Sequence, residues 1–227
     1  VGAEVNERVP AHLAIIPDGN RRWARASGLS VADGHAAGIV NVGRIADAAF
    51  AAGVEVVSFW WGSPANLTKR SPDEVRSIVG VLDEWLSRAG VELLRAADAR
   101  FDAFGRIDEL CPSLSPAIER ARAVAPNGSR RLVLLMAYDG RDELLDAVRR
   151  SGGDPSRFEA ALWTASLPAV DLLLRTGAEP HFSAGFLLWH LAESQIAFRD
   201  ETWPAFGRTQ LDDVLARFAH AERRFGA

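Results

Sequence analysis

The sequence predicts an α/β fold: a single domain with a mainly parallel central sheet flanked by helices. Three observations predict it. Apolar runs of strand length alternate with segments of helical periodicity from one end of the chain to the other. Those runs are apolar almost throughout, as strands covered on both faces are. The composition, 48% hydrophobic and 25% charged over 227 residues, is that of an ordinary globular domain, with no repeat or low-complexity tract. A flexible arm is expected over residues 1–11 and one domain over 12–227.

Taken in order, His12-Leu13-Ala14-Ile15-Ile16 reads as a buried strand stopped by Pro17-Asp18-Gly19-Asn20. Asp33 to Ala52 is helical, with Ile39, Val42, Ile45, Ala46 and Ala49 on one face and Gly53 as its stop. Glu55 to Trp61 is a second strand, rich in β-branched and aromatic residues. Ser71-Pro72-Asp73-Glu74 reads as a capping box that opens a helix to about Ala97, broken near Gly90. Arg100 to Gly105 is a weaker strand, Ser115 to Val124 a helix, and Leu132 to Tyr138 an apolar strand leading into a helix at Asp139-Gly140. Val170 to Arg175 is a strand, Thr176 to Ser183 a loop, and Ala184 to Ala192 a helix. Gln195 to Phe198 is a short strand and Thr209 to Arg223 the closing helix. Open parallel sheets bind ligands beyond the carboxyl ends of their strands, which directs attention to the loops after Pro17, Gly62, Tyr138 and Arg175.

Several chemistries are disfavoured. With 26 Lys and Arg against 30 Asp and Glu the net charge is −4, so nucleic acid is not expected as a partner. The lone Cys111 forbids an internal disulfide, reads as an inert thiol, and suits a reducing cytoplasm, where the protein is expected. No signal peptide or apolar run of membrane-spanning length is visible. Zinc-type cysteine pairs, a phosphate loop, a dinucleotide fingerprint and a nucleophile-elbow serine are missing. So is the aspartate-rich DDxxD motif, since Asp212-Asp213 runs on into Val, Leu and Ala.

Two loops could carry chemistry. In Asp18-Gly19-Asn20-Arg21-Arg22-Trp23, Gly19 permits close backbone approach and Arg22 could fork onto a phosphate. A carboxylate facing a phosphate repels it unless a cation lies between, so Asp18 in that role implies Mg²⁺. The competing reading is a plain turn with Asp18 as a helix cap. Arg175, emerging after four apolar residues, could bind a second phosphate with Ser183, or could pair with Glu179. His35, Asn66 and Arg70 are unremarkable taken singly. Phe59, Trp60 and Trp61 end a strand beside the expected ligand edge, and an apolar wall there suits a diphosphate head with a hydrocarbon tail.

The run His12 to Ala24 closely resembles the signature of the cis-prenyltransferases, the undecaprenyl diphosphate synthase family. The likeness continues in order through Gly34-His35, Lys69-Arg70-Ser71-Pro72 with Glu74-Val75, Tyr138 with Gly140-Arg141-Asp142-Glu143, Arg175-Thr176-Gly177, Phe186 to Trp189, Asp200, Trp203-Pro204 and Glu222 to Gly226. It implies a homodimeric fold with an apolar tunnel, joining an allylic diphosphate to a second isoprenoid diphosphate. It implies catalytic roles for Asp18, Asn20, His35 and Asn66, with Asp18 holding Mg²⁺ on the allylic diphosphate. Substrate binding is implied for Gly19, Arg21, Arg22 and Trp23, and for Arg70, Arg175, His181 and Ser183. Gly19, Asn20 and Arg22, assisted by His35 and Asn66, would cradle the allylic diphosphate, and Arg70, Arg175 and Ser183 would bind the second. A greasy product would allow transient contact with a membrane surface, without a transmembrane segment.

The departures cluster on the second-substrate side. Ala65 replaces a loop carboxylate, Leu67 an aromatic, Val31 and His181 each an arginine, and Gln195 a glutamate that contributes to metal binding. A weakened or substrate-dependent hold on Mg²⁺ follows. The pattern resembles the irregular, lavandulyl-type members, which couple dimethylallyl diphosphate with dimethylallyl or geranyl diphosphate head to middle. A regular short-chain synthase using isopentenyl diphosphate and a non-catalytic partner subunit are the alternatives.

Overall fold

The computed structural model describes residues 8–221. In chain order the elements are β1 (His12–Ile16), α1 (Asn20–Ala26), α2 (Val31–Ala51), β2 (Val56–Gly62), α3 (Pro64–Lys69), α4 (Pro72–Ser87), α5 (Ala89–Ala96), β3 (Ala99–Phe104), α6 (Ile107–Leu110) and α7 (Ser115–Arg122). They continue with β4 (Arg130–Met136), α8 (Gly140–Ser151), α9 (Pro155–Phe158), β5 (Leu172–Arg175), β6 (Gln195–Phe198) and α10 (Arg208–His220). The six strands form one sheet in the order β3-β4-β2-β1-β5-β6, and every pair is parallel.

The order reverses at β1. The chain first adds strands on the β2 side and then returns to add β5 and β6 on the other, which leaves a crevice beyond the end of β1. Successive β1 side chains feed opposite cores. Leu13 and Ile15 join a large cluster with Ile39, Val42 and Ile45 of α2, while Ala14 and Ile16 pack with Val133, Leu173 and Phe186. Burial on both faces is why the strand carries no alternating polar residue.

Trp203 ties the core to the crevice. Its ring is fully buried, donates from Nε1 to the Gly38 carbonyl at 2.8 Å, and stands edge-on to Phe59 with centroids 5.7 Å apart. Such a pair adds about 0.5–1.5 kcal/mol beyond area burial. Its backbone N–H donates to the Asp18 carbonyl at 2.8 Å, so the loop after β1 is pinned from below.

Four expectations need correction. Ala184 to Ala192 is a chain of turns, because Ala184, Gly185 and Leu187 all have positive φ, which no α-helix accepts. The long helix breaks at Arg88 (φ −130°, ψ −93°), not at Gly90. Ser63 to Lys69, read as loop, holds the short α3, whose Ser63 and Asn66 cap each other. Ser71 caps α4 by accepting from the Glu74 N–H at 3.2 Å, but the Glu74 carboxylate does not complete the box; it turns toward His35 and Arg70.

The closing helix spans Arg208–His220, and Glu222 to Gly226 lie outside the described residues. So do residues 1–7 of the expected arm; at its end Ala11 N–H donates to Asp171 at 2.9 Å. No described helix is long and apolar enough to cross a membrane. Cys111 is buried and its thiol pKa is raised by desolvation, in keeping with an inert role.

Candidate active site

A cleft of about 430 Å³ opens beyond the ends of β1, β2 and β5. Three of the four loops singled out from the sequence border it, those after Ile16, Trp61 and Arg175; the Tyr138 loop does not. Five arginines line it, Arg21, Arg22, Arg25, Arg70 and Arg175, against one carboxylate, Asp18. A cleft so charged, inside a protein of net charge −4, is built for an anion.

The first pole centres on Asp18. Arg175 donates from Nη2 to Oδ2 at 2.8 Å, and Arg22 approaches Oδ1 to 3.3 Å. Arg175 is the last residue of β5, its side chain only 5% exposed; it also donates to the His181 carbonyl at 2.8 Å and to Ser183 Oγ. Arg175 therefore pairs with Asp18 and not with Glu179, which lies 3.5 Å from His181. Thr176 Oγ1 accepts from the Asp18 N–H at 3.0 Å and donates to the Asp18 carbonyl at 2.9 Å. Two glycines allow this crowding. Gly19 has φ +105°, and a Cβ there would meet Thr202 at 2.9 Å; Gly177 has φ +90°, and a Cβ there would lie 2.6 Å from the Arg22 guanidinium.

The second pole lies at the starts of α2 and α4. Glu74 Oε1 is 3.5 Å from both His35 Nε2 and Arg70 Nε. These are loose contacts: Glu74 Oε1 and His35 Nε2 are buried and neither has a hydrogen bond. Burial holds the His35 pKa below the usual histidine value, and Arg70 and Arg21 push the same way against Glu74. His35 is therefore neutral at pH 7. A second cavity of about 350 Å³, with Asp73, Glu74 and Ser77 among its lining, borders His35 as well.

An apolar side adjoins the poles. Trp60, Trp61 and Ile78 line the cleft; the register shift between Trp60 and Gly62 brings two consecutive tryptophans to it. Phe59, expected beside them, points into the core instead. Trp61 also lines an apolar pocket with Ile39, Val42, Leu82, Trp85 and Phe101, whose free volume is about 10 Å³. That is no larger than one water needs, so side chains fill the space behind Trp61.

Of the residues singled out from the sequence, Asp18, Gly19, Asn20, Arg21, Arg22, His35, Asn66, Arg70, Arg175 and Ser183 line the cleft. Trp23 and His181 do not; the His181 side chain is 59% exposed. Asn66 spends its carbonyl oxygen on the Ser63 N–H at 3.2 Å, and Asn20 Oδ1 is buried without a donor. Gln195 lies on β6, away from the lining. Arg25 and Ile78 were not anticipated, Arg25 sitting one turn beyond Arg21, and Glu74 had a place in the family likeness and the capping reading but no site role.

Known proteins resemble the chain over nearly its whole length. Residues 16–226 match the family model described as "Putative undecaprenyl diphosphate synthase". The chain is 36% identical to the bifunctional protein CrtB/UppS of Streptomyces coelicolor, aligning over 96% of itself and 40% of that longer protein. It is 34% identical to an isoprenyl transferase of Thermus thermophilus, over 96% of the chain and 89% of the relative. The crystal structure of lavandulyl diphosphate synthase from Lavandula x intermedia, in complex with dimethylallyl diphosphate, superposes with a TM-score of 0.90 at 31% identity, covering 99% of this chain and 100% of that one. The chain belongs to the undecaprenyl diphosphate synthase family, the cis-prenyltransferases, and is an isoprenyl diphosphate synthase.

Proposed function

We propose that the protein is a short-chain isoprenyl diphosphate synthase of the irregular, lavandulyl type, which couples dimethylallyl diphosphate with a second allylic diphosphate, dimethylallyl or geranyl. The observation that carries the short product is the narrow apolar pocket behind Trp61, where Trp61, Trp85 and Phe101 crowd the free volume to about 10 Å³. Irregular coupling is supported by the likeness to lavandulyl diphosphate synthase and by the loss of a carboxylate at Ala65, where the acceptor would sit.

In this reading the first pole binds the donor; the pairing with Asp18 moves Arg175, which the resemblance gave to the second diphosphate, to the donor side, and the contact with Glu74 moves His35, which it gave to the donor, to the acceptor side. Arg22 and Arg175 hold the donor's diphosphate and stabilise the charge that develops as the C1–O bond breaks and the electron pair leaves with oxygen. The acceptor double bond attacks C1, and the resulting tertiary cation loses a proton to form the new alkene. His35, neutral through burial, is the base; with Nε2–H directed toward Glu74, Nδ1 is left to accept. The 3.5 Å separation shortens as the acceptor seats, a common behaviour of catalytic hydrogen bonds. Trp60 and Trp61 keep water from the cationic carbon.

Asp18 is the residue that would hold Mg²⁺. No group of three His, Cys, Asp or Glu suited to a metal exists among the described residues, yet Mg²⁺ needs only one or two carboxylates beside phosphate oxygens and water. Asp18, 34% exposed at the cleft, fits an ion that arrives with the diphosphate; bound there, the ion would add positive charge to the leaving group. Arg22 and Arg175 flank Asp18 as well, so positive charge from the chain itself stands beside the carboxylate.

A homodimer is proposed through the edge strand β6, where Ile196 and Phe198 are 56% and 45% exposed and the outer strand edge has no partner strand among the described residues. Sedimentation should show a dimer that Ile196→Lys dissociates.

The test of function is product identification by mass spectrometry and NMR after incubation with Mg²⁺ and dimethylallyl diphosphate, alone and with geranyl diphosphate. Branched products are expected without isopentenyl diphosphate. Linear products formed only in its presence would establish the regular short-chain synthase instead, and no product from any pair would favour the partner subunit. Trp61→Ala should lengthen the products of whichever coupling occurs, at a stability cost of about 3–5 kcal/mol.

A further inference from the structure

Helix α2 carries Gly34 and Gly38, four residues apart and so on one face. Inside a helix alanine is more stable than glycine, so the pair needs a steric reason. That reason is α1, which packs against this face. A Cβ on Gly34 would lie 2.6 Å from the Asn20 carbonyl oxygen and 2.8 Å from the Ala24 Cβ. A Cβ on Gly38 would overlap Asn20 Oδ1 and lie 2.9 Å from Asn20 Cγ. Gly34 therefore faces the backbone of α1, whereas Gly38 faces a side chain, and that side chain lines the cleft.

Helix α2 is held in place at this contact. Trp203 donates from its indole to the Gly38 carbonyl at 2.8 Å, and Asn41, three residues on, donates to the carbonyls of Trp203 and Phe206 at 2.7 and 2.9 Å. Asn20 Oδ1, set in the gap at Gly38, is buried and accepts nothing. The amide nitrogen falls on the Pro17 side and donates to the Pro17 carbonyl at 3.4 Å. Its second N–H has no acceptor among the described residues and is free to meet an anionic oxygen in the cleft, which Pro17 and Asn20 both line.

Resting on the reading above, in which the cleft takes an isoprenoid diphosphate, we propose that Gly38 is a positioning residue for the reaction: the side chain it lacks is what lets the Asn20 amide donate to a diphosphate oxygen. A methyl group at position 38 leaves both backbones in place and turns the amide away. A methyl group at position 34 has no such outlet and forces the helices apart.

A double-substitution cycle tests this. Gly38→Ala should fold with an undiminished urea midpoint and lose kcat/KM as Asn20→Ala does, by about a hundredfold. Asn20→Ala/Gly38→Ala should lose no more than Asn20→Ala alone, because the amide that the methyl displaces is already gone. Gly34→Ala should instead lower the urea midpoint. Gly80→Ala, at an exposed helical glycine with open space around it, should leave activity unchanged. Folded Gly38→Ala with kcat/KM within about twofold of native would overturn the proposal and leave the synthase reading standing. So would a double variant showing the product of the two single losses, or an unstable Gly38→Ala that Asn20→Ala fails to restore. No prenyl product from the native protein with any substrate pair would sink the synthase reading, and calorimetry with Mg²⁺ and inorganic diphosphate then decides the contact. Gly38→Ala and Asn20→Ala should each weaken that binding about tenfold, and the double variant no further. Binding that Gly38→Ala leaves unaltered, or that the native protein lacks, overturns the proposal.

Discussion

The two poles of the cleft differ in how finished they are. At the first, both oxygens of Asp18 have guanidinium partners, Arg175 is nearly buried, and Thr176 and Trp203 fix the loop from behind. At the second, His35 and Glu74 stand 3.5 Å apart with buried atoms that have no hydrogen bond. Preorganisation matters most where charge develops in the transition state. The donor's leaving group is that place, and the finished pole is the one that would hold it. Each pole keeps two buried polar atoms without a partner, Asn20 Oδ1 and Arg175 Nε at the first and His35 Nε2 and Glu74 Oε1 at the second, so the poles differ in how tightly their ion pairs close, 2.8 Å for Arg175–Asp18 against 3.5 Å for His35–Glu74.

Substitutions should separate the poles, and the largest effect is expected at the first. Asp18→Ala should lower kcat/KM by about a thousandfold or more, since it removes the metal-binding carboxylate. It also strips Arg175 of its partner and should cost on the order of 2 kcal/mol, read by urea denaturation. Loss of activity with unchanged stability would show that the Arg175 contact contributes nothing to the fold.

At the second pole Glu74→Gln should cost only about tenfold in kcat/KM, with stability altered by less than about 0.5 kcal/mol, because the contacts are loose. The Glu74 carboxylate raises the His35 pKa against burial and Arg70. Neutralising it lets that pKa fall further, so the acid limb of the kcat/KM profile should move to lower pH. An unmoved limb would remove His35 as the base.

The smallest effect is a reference outside both poles. His12, under the sheet, is held neutral at a pKa of about 4 by burial, with Nε2 2.7 Å from Ser58 Oγ. Its folded pKa lies below its unfolded value of about 6.5, so the unfolded chain takes up the proton first. Stability should fall as pH drops from about 6.5 to 4, by at most about 3 kcal/mol from this residue. In His12→Asn that part of the slope should vanish while the kcat/KM limb assigned to His35 stays; if the limb goes too, the two histidines are coupled.

What could be read from the sequence divides along the same line. The first pole is largely local: Asp18, Gly19 and Arg22 are neighbours, and Arg175 ends an apolar strand that pairs with β1 in register, Ile16 opposite Arg175. The α/β fold was legible because buried parallel strands are apolar throughout. The second pole joins the starts of two helices distant in sequence. Glu74 also satisfied a local capping rule, which hid its reach toward His35. Ala184 to Ala192 misled because its composition suits a helix while its backbone turns, and no side chain advertises a positive φ at Ala184 or Leu187. The filling of the apolar pocket by Trp61, Trp85 and Phe101 was invisible because those residues come from three elements.

The most direct test is a crystal structure with Mg²⁺ and dimethylallyl thiolodiphosphate, an analogue slow to ionise. The account predicts two molecules per chain, one diphosphate at Asp18, Arg22 and Arg175 and the other at Arg70, His35 and Arg21, with their hydrocarbon ends meeting at Trp60 and Trp61. A single molecule at Asp18, with the second pole empty and its His35–Glu74 contact unchanged, would contradict it.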